Sequence, residues 1–278
     1  KYNKRKKNDE IKGLLSSRFL NSGVIFAISA ILAAAVAAVA LIPVLVLGFF
    51  IYRKDSAHPE PISMLLKGLA YGAISAVLTL VVLYPFDSLL SAHSNLYTLG
   101  GAAVAAFGGA AIPEELCKLF MLWLLVRKSR HYDEPFDGIV YAACVGLGFA
   151  GFENVLYLVE ANEYGELLSV GISRGIFSVP GHFCFAVFMG YYYALATFGY
   201  PSSKSSHMIK AALIPIAIHG IYDMLLMFQN EQWFILAICV WFVFVIVMFV
   251  KAYKRINRLK KMQNQLYGVY QGSEADNN

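Results

Sequence analysis

The chain has 278 residues, 58% of them hydrophobic and 15% charged, and a formal net charge of +5. Soluble domains carry about 45–50% apolar and about 25% charged residues, so this chain has too few charges to cover a water-exposed surface. Its Lys and Arg gather in loops and tails, as they do in cytoplasmic membrane loops. That gives no reason to expect a nucleic-acid partner and points to a polytopic membrane protein.

The stretch KYNKRKKNDE opens a basic N-terminal extension over residues 1–22. The apolar run from Gly23 to Ile51 that follows is far longer than a signal-peptide core of about 7–15 residues, so a retained first span is expected. Seven apolar segments are read in order over residues 24–52, 62–86, 96–126, 136–159, 170–198, 208–228 and 233–253, each long enough to cross a hydrocarbon core. The expected fold class is all-α, a polytopic membrane helix bundle of about seven transmembrane helices whose polar residues converge on one site. It occupies residues 23–254, and residues 255–278 form a basic then polar tail, of which only the closing SEADNN is expected to be disordered.

The third and fifth segments are long, and Pro113 and Pro180 mark kinks or breaks in them. Within the fifth, residues 167–179 read as an interfacial helix leading into a span that starts near Pro180. Arg53 and Lys54, Arg127 to Arg130, Lys204 and Lys210, and the tail supply the basic connections. The positive-inside rule therefore puts the loops after segments one, three and five, and the C-terminus, in the cytoplasm. An odd number of spans then leaves the basic N-terminus outside, against the same rule. Cys117, Cys144, Cys184 and Cys239 lie in apolar runs without CxxC spacing. A disulfide framework is not expected, and a thiolate metal ligand at Cys117 or Cys184 is weighed below a plain buried thiol.

Inside the spans stand Glu114, Glu115, Lys118, Glu153, His182, His219 and Asp223, with Arg174 nearby. Ionisable groups at membrane depth are costly and are functional candidates by default, although any one alone could be a structural ion pair. Counted from their cytoplasmic loops at ~1.5 Å per residue, the acids and histidines all lie at or beyond the midplane of a ~30 Å core. Four segments thus bring polar groups to one level, toward the outer leaflet. His219 and Asp223 are i,i+4, as are Glu114 and Lys118, which leaves Glu115 turned away to face a cavity.

Carboxylates and imidazoles are the materials of hydrolysis. A glutamate can move a proton between water and a leaving amine. Alternatively, Glu153, His182 and His219 could hold zinc, with Asp223 as a fourth ligand or as the group that orients a histidine. No HExxH motif is present. The rival reading is a proton- or cation-coupled transporter, since such relays also serve ion pathways. A scaffold with buried polar pairs is the third.

EELCK fits an EExxK pattern, FAGFEN a FxxxE pattern followed by Asn, VPGHFCFAVFMGYYYA a histidine-led span, and HGIYD an HxxxD pattern. In that order they resemble the PrsW family of intramembrane proteases, and IPVLVLGFFIYRKD resembles that family's first span; the likeness covers residues 42–226. The resemblance implies cleavage of a single-span protein in the lipid bilayer of a bacterial cell membrane. Some members of the family make the site-1 cut in an anti-sigma factor on its extracytoplasmic side. It also implies kinship with CAAX-processing and bacteriocin-processing membrane proteases. A metalloprotease is favoured, with a metal-free glutamate mechanism as its rival. On this reading Glu115 is the base, Glu114 pairs with Lys118 or shares a proton with Glu115, Glu153 and His182 position water or metal, and His219 with Asp223 completes a metal site or stabilises the oxyanion.

Overall fold

The computed structural model describes residues 41–55, 59–163, 166–199 and 201–275, with the single positions 24, 34, 35 and 38. Among these the chain is helical and has no strand. Helix α1 covers residues 41–54 and α2 covers Ile62–Leu83. A tight turn leads to α3 (Asp87–His93), and α4 (Leu99–Ala103) starts a run that widens over Val104–Ala111 and continues as α5 (Ile112–Val126). Then come α6 (Asp137–Glu163), α7 (Leu167–Ser173), a second wide segment Arg174–Ser178, α8 (Val179–Phe198), α9 (Lys204–Met227) and α10 (Phe234–Ala275).

Five stretches are long and apolar enough to cross a membrane: Ile62–His93, Asp137–Ala161, Leu167–Phe198, Lys204–Met227 and Phe234–Gln265. They answer to five of the seven expected segments. Most of the first expected segment, and all of the basic extension, lie outside the described residues. The third is helical throughout Leu99–Val126, but Glu114, Glu115 and Lys118 in its middle set it apart from the apolar spans.

Neighbours pack in a ring: α2 on α6, α6 on α8, α8 on α9, α9 on the wide segment before α5, and α5 back on α2. Helix α10 lies outside, against α8 and α9. The innermost helix is α6, buried at Ile139, Val140, Ala143, Leu147 and Ala150. Small residues let its neighbours approach, as lipid-embedded helices require. A Cβ on Gly148 would stand 2.0 Å from the Leu69 carbonyl oxygen of α2, and one on Gly190 of α8 would stand 2.2 Å from the Gly138 oxygen. The outer faces keep Leu80, Val81, Ile235, Val243 and Ile246 exposed, a surface suited to lipid.

Two expectations change. The interfacial helix and the span after it form one helical run, because the prolines are absorbed by wide turns instead of breaks. Proline has no N–H and its ring clashes with the carbonyl four residues back, and a wider turn relieves that register. Each wide segment ends just before a proline in the first turn of the next helix, Pro113 in α5 and Pro180 in α8. The tail likewise continues α10 through Ala275, because Ala252, Ile256, Leu259 and Gln263 recur at helical spacing and are buried. Gln263 accepts from the Phe136 amide (2.9 Å) and donates to Glu134, tying the helix to the segment before α6.

Candidate active site

Both prolines place their polar neighbours. Glu114 and Glu115 sit in the first turn of α5 after Pro113, and His182 follows Pro180 in α8. Their side chains point into the ring, where α6 adds Glu153 and α9 adds His219 and Asp223. The structure brings together all seven residues singled out in the sequence.

Lys118 is the hub. Its Nζ donates to Glu115 Oε1 at 2.8 Å and Glu114 Oε2 at 3.2 Å, and it lies 3.1 Å from His182 Nδ1. It also stands over the Phe149 ring, 3.8 Å from the centroid. An ammonium only donates, so His182 Nδ1 accepts and its proton sits on Nε2, which donates to Glu153 Oε2 at 3.0 Å. The same carboxylate oxygen accepts from Arg174 at 2.7 Å, while Arg174 Nε donates to Asn154 at 2.7 Å.

Both ring nitrogens of His219 face carboxylates: Nδ1 lies 2.9 Å from Glu115 Oε1 and Nε2 lies 3.1 Å from Asp223 Oδ2. The imidazolium form satisfies both contacts. Phe185 stacks on this ring at 4.5 Å between centroids, fixing its plane. Four carboxylates thus face Lys118, Arg174 and His219, so the buried charges are paired and hydrogen-bonded.

A cavity of about 500 Å³ opens onto the cluster, and Glu114, Glu153, Arg174, His182, His219 and Asp223 are on its wall. Glu115 is not; it is fully buried behind Lys118 and His219. The expected Glu114–Lys118 pair is present, but Glu114 and not Glu115 faces the cavity. Both acids reach Lys118, and the His219 contact, 104 residues distant in sequence, draws Glu115 inward.

The expected ligand set changes too. One donor atom from each of Glu114, Glu115, His182 and His219 lies within 4.8 Å of the others. Glu153 instead bonds the far nitrogen of His182 and orients it. Two imidazoles and two carboxylates are donors that suit zinc. However, Lys118 Nζ already lies within 3.2 Å of three of these side chains. An ion at bonding distances of ~2.0–2.2 Å from the same atoms would overlap the ammonium. As arranged, the residues do not fit a resident zinc ion, because the cation these carboxylates need is built into the chain.

Arg174, placed only near the site by the sequence, anchors Glu153. The signal for it was a cation at membrane depth shortly before the histidine-led span, with FEN on the preceding helix.

Residues 60–250 match the PrsW family intramembrane metalloprotease description. The chain is 30% identical to Protease PrsW of Clostridioides difficile over 84% of its own length and 94% of that relative. It is 34% identical to the Geobacillus kaustophilus protein of that name over 66% of its own length and 76% of the relative. Against that of Bacillus subtilis it is 30% identical over 69% and 83%. No solved structure matches the chain.

Proposed function

The chain belongs to the PrsW family of intramembrane proteases, and on that premise we propose that Glu114 activates the water that hydrolyses a peptide bond of a membrane-anchored protein in this cavity. The observation that carries the reading is the position of Glu114 on the cavity wall, beside two histidines and backed by Lys118. The transporter and scaffold readings give way, since the family is one of proteases.

In the proposed reaction Glu114 takes a proton from water, and the water oxygen attacks the peptide carbonyl carbon. The negative oxygen of the tetrahedral intermediate meets the positive face formed by His219 and Arg174. The C–N bond then breaks, and Glu114 returns its proton to the departing amine. His182, held by Glu153 on one nitrogen and by Lys118 on the other, ties those two groups together and fixes the cavity wall beside Glu114. Asp223 holds His219 as the imidazolium.

The cavity wall also includes Leu83, Ser91, Ser94 and Met227, at the end of the bundle away from the basic loops. With the C-terminus cytoplasmic in a bacterial membrane, the cut falls near the outer leaflet. A single-span protein with an extracytoplasmic domain is the fitting substrate, and a membrane-anchored anti-sigma factor is the first to try. In proteoliposomes with such a substrate the wild type cuts and Glu114→Gln does not; cutting by Glu114→Gln at the wild-type rate removes Glu114 as the base.

One observation favours a zinc-dependent second reading: Glu115 Oε2 is buried without a hydrogen-bond partner. That reading requires Lys118 to withdraw. Elemental analysis decides between the two. Stoichiometric zinc that disappears in both His182→Ala and His219→Ala establishes the zinc enzyme, whereas cutting that survives chelation supports the glutamate mechanism.

A further inference from the structure

A second cluster of buried acids lies at the opposite end of α6, outside the cavity just described. Asp55 follows α1, Glu60 precedes α2 and Asp137 opens α6. They are 2%, 7% and 0% exposed, and one donor atom of each lies within 4.8 Å of the other two. Glu60 Oε2 accepts from the Tyr141 hydroxyl, and Asp137 Oδ2 accepts from the Asp133 and Glu134 amides at 3.1 and 2.7 Å. Asp55 Oδ2 and Asp137 Oδ1 are buried with no hydrogen-bond partner. Among the described residues none of the three acids forms an ion pair with Lys, Arg or His. The Lys260 ammonium donates to the Lys54 carbonyl and forms no ion pair with Asp55, on which it acts only as a weaker, more distant charge.

Desolvated carboxylate oxygens without a donor are costly, and the cost compounds when the acids face one another. A cation coordinated by them offsets both effects. A cavity of about 260 Å³, lined by Glu60, His131, Asp133 and Glu134, reaches the cluster at Glu60, with Asp55 and Asp137 not on its wall. We propose that Asp55, Glu60 and Asp137 bind one divalent cation. All-oxygen donors of this kind suit Ca²⁺ or Mg²⁺ over softer metals. The site clasps the ends of α1, α2 and α6, and α6 carries Glu153 about 24 Å further along. Its effect on proteolysis is therefore exerted through helix packing, not through the reacting atoms.

The test uses Tb³⁺ as the probe in the purified full-length protein. Tyr141 touches Glu60 and so serves as the antenna. Tyrosine-sensitised Tb³⁺ emission should saturate and be displaced by Ca²⁺ or Mg²⁺. Its affinity should fall at least about tenfold in Asp55→Asn and in Asp137→Asn, and be unchanged in His182→Ala. In parallel, Ca²⁺ or Mg²⁺ added to chelator-treated wild type should raise the melting temperature by roughly 3 °C or more. Should Asp137→Asn fail to fold, Asp55→Asn carries the localisation, because Asp55 accepts from one backbone amide, that of Glu60, where Asp137 accepts from two. Absent emission, emission with unaltered affinity in Asp55→Asn, or a wild-type melting temperature indifferent to both cations would each overturn the proposal.

Discussion

The two ends of α6 solve the same problem differently. Near Glu153 four carboxylates lie at membrane depth, yet Lys118, Arg174 and His219 are placed among them. Near Asp137 three carboxylates converge and no side-chain cation joins them among the described residues. Burial and the neighbouring Glu60 push the Asp55 carboxyl up to about 7 against the weaker pull of Lys260, which is what a buried acid facing other acids does. A buried acid cluster is therefore not one kind of feature. Where the chain supplies its own cation the cluster is electrostatically closed and can be reserved for proton chemistry. Where it does not, the cluster is open to a cation from solution.

Substitutions that unbalance the closed cluster should have the largest effects. Glu114→Gln keeps the shape and the hydrogen bond to Lys118 but removes the base. Loss of one proton-transfer group typically costs about 10²–10⁴ in rate, so turnover should become undetectable in a proteoliposome assay while the melting transition stays close to wild type. Next comes Lys118→Met, which strands Glu114 and Glu115 without their ammonium. Removing one partner of a buried ion pair costs about 3–5 kcal/mol, visible as a large drop in melting temperature together with loss of cutting. A Lys118→Met protein that melts like the wild type would mean that the closed cluster does not depend on its built-in cation.

Much of the closed cluster could be read from the sequence, and the reason is local geometry. His219 with Asp223, and Glu114 with Lys118, are i,i+4 neighbours whose contacts any helix would make. The spans carried by α2, α6, α8, α9 and α10 were visible because lipid demands long apolar runs. What could not be read was set by distant partners. Glu115 turns inward because of His219, and Arg174, at the start of a wide turn, reaches Glu153 across 21 residues. The wide turns themselves could be read only as kinks or breaks, since proline signals a disturbance in a helix without saying how it is resolved. The open cluster was missed altogether: Asp55, Glu60 and Asp137 flank spans, where charges ordinarily meet water, and only the folding of three helix ends together buries them.

A smaller effect should follow from Arg174→Gln, which leaves His182 bonded to Glu153 but removes the guanidinium that accompanies it. The pair is largely buried, at 15% and 19% side-chain exposure, but Glu153 keeps His182 as a partner. Stability should fall by about 1–3 kcal/mol, less than in Lys118→Met. The cleavage rate should fall further than stability does, if Arg174 also faces the developing negative oxygen. Equal falls in the two measurements would confine Arg174 to holding Glu153.

The smallest effect carries the sharpest sign. In the closed cluster removing a cation, as in Lys118→Met, strands buried carboxylates, so stability falls. In the open cluster Asp55→Asn removes repulsion and supplies an amide donor beside Glu60 and Asp137. In the presence of a chelator this variant should therefore melt higher than the wild type, by about 2–4 °C for a gain on the order of 1 kcal/mol. Saturating Ca²⁺ should reverse the order, because only the wild type then gains the energy of coordination. The crossing of the two melting curves is the diagnostic, since packing lost through the substitution would lower the variant under both conditions. If Asp55→Asn melts lower in chelator as well, the acids near Asp137 are already balanced within the folded chain, and the two ends of α6 differ in position alone.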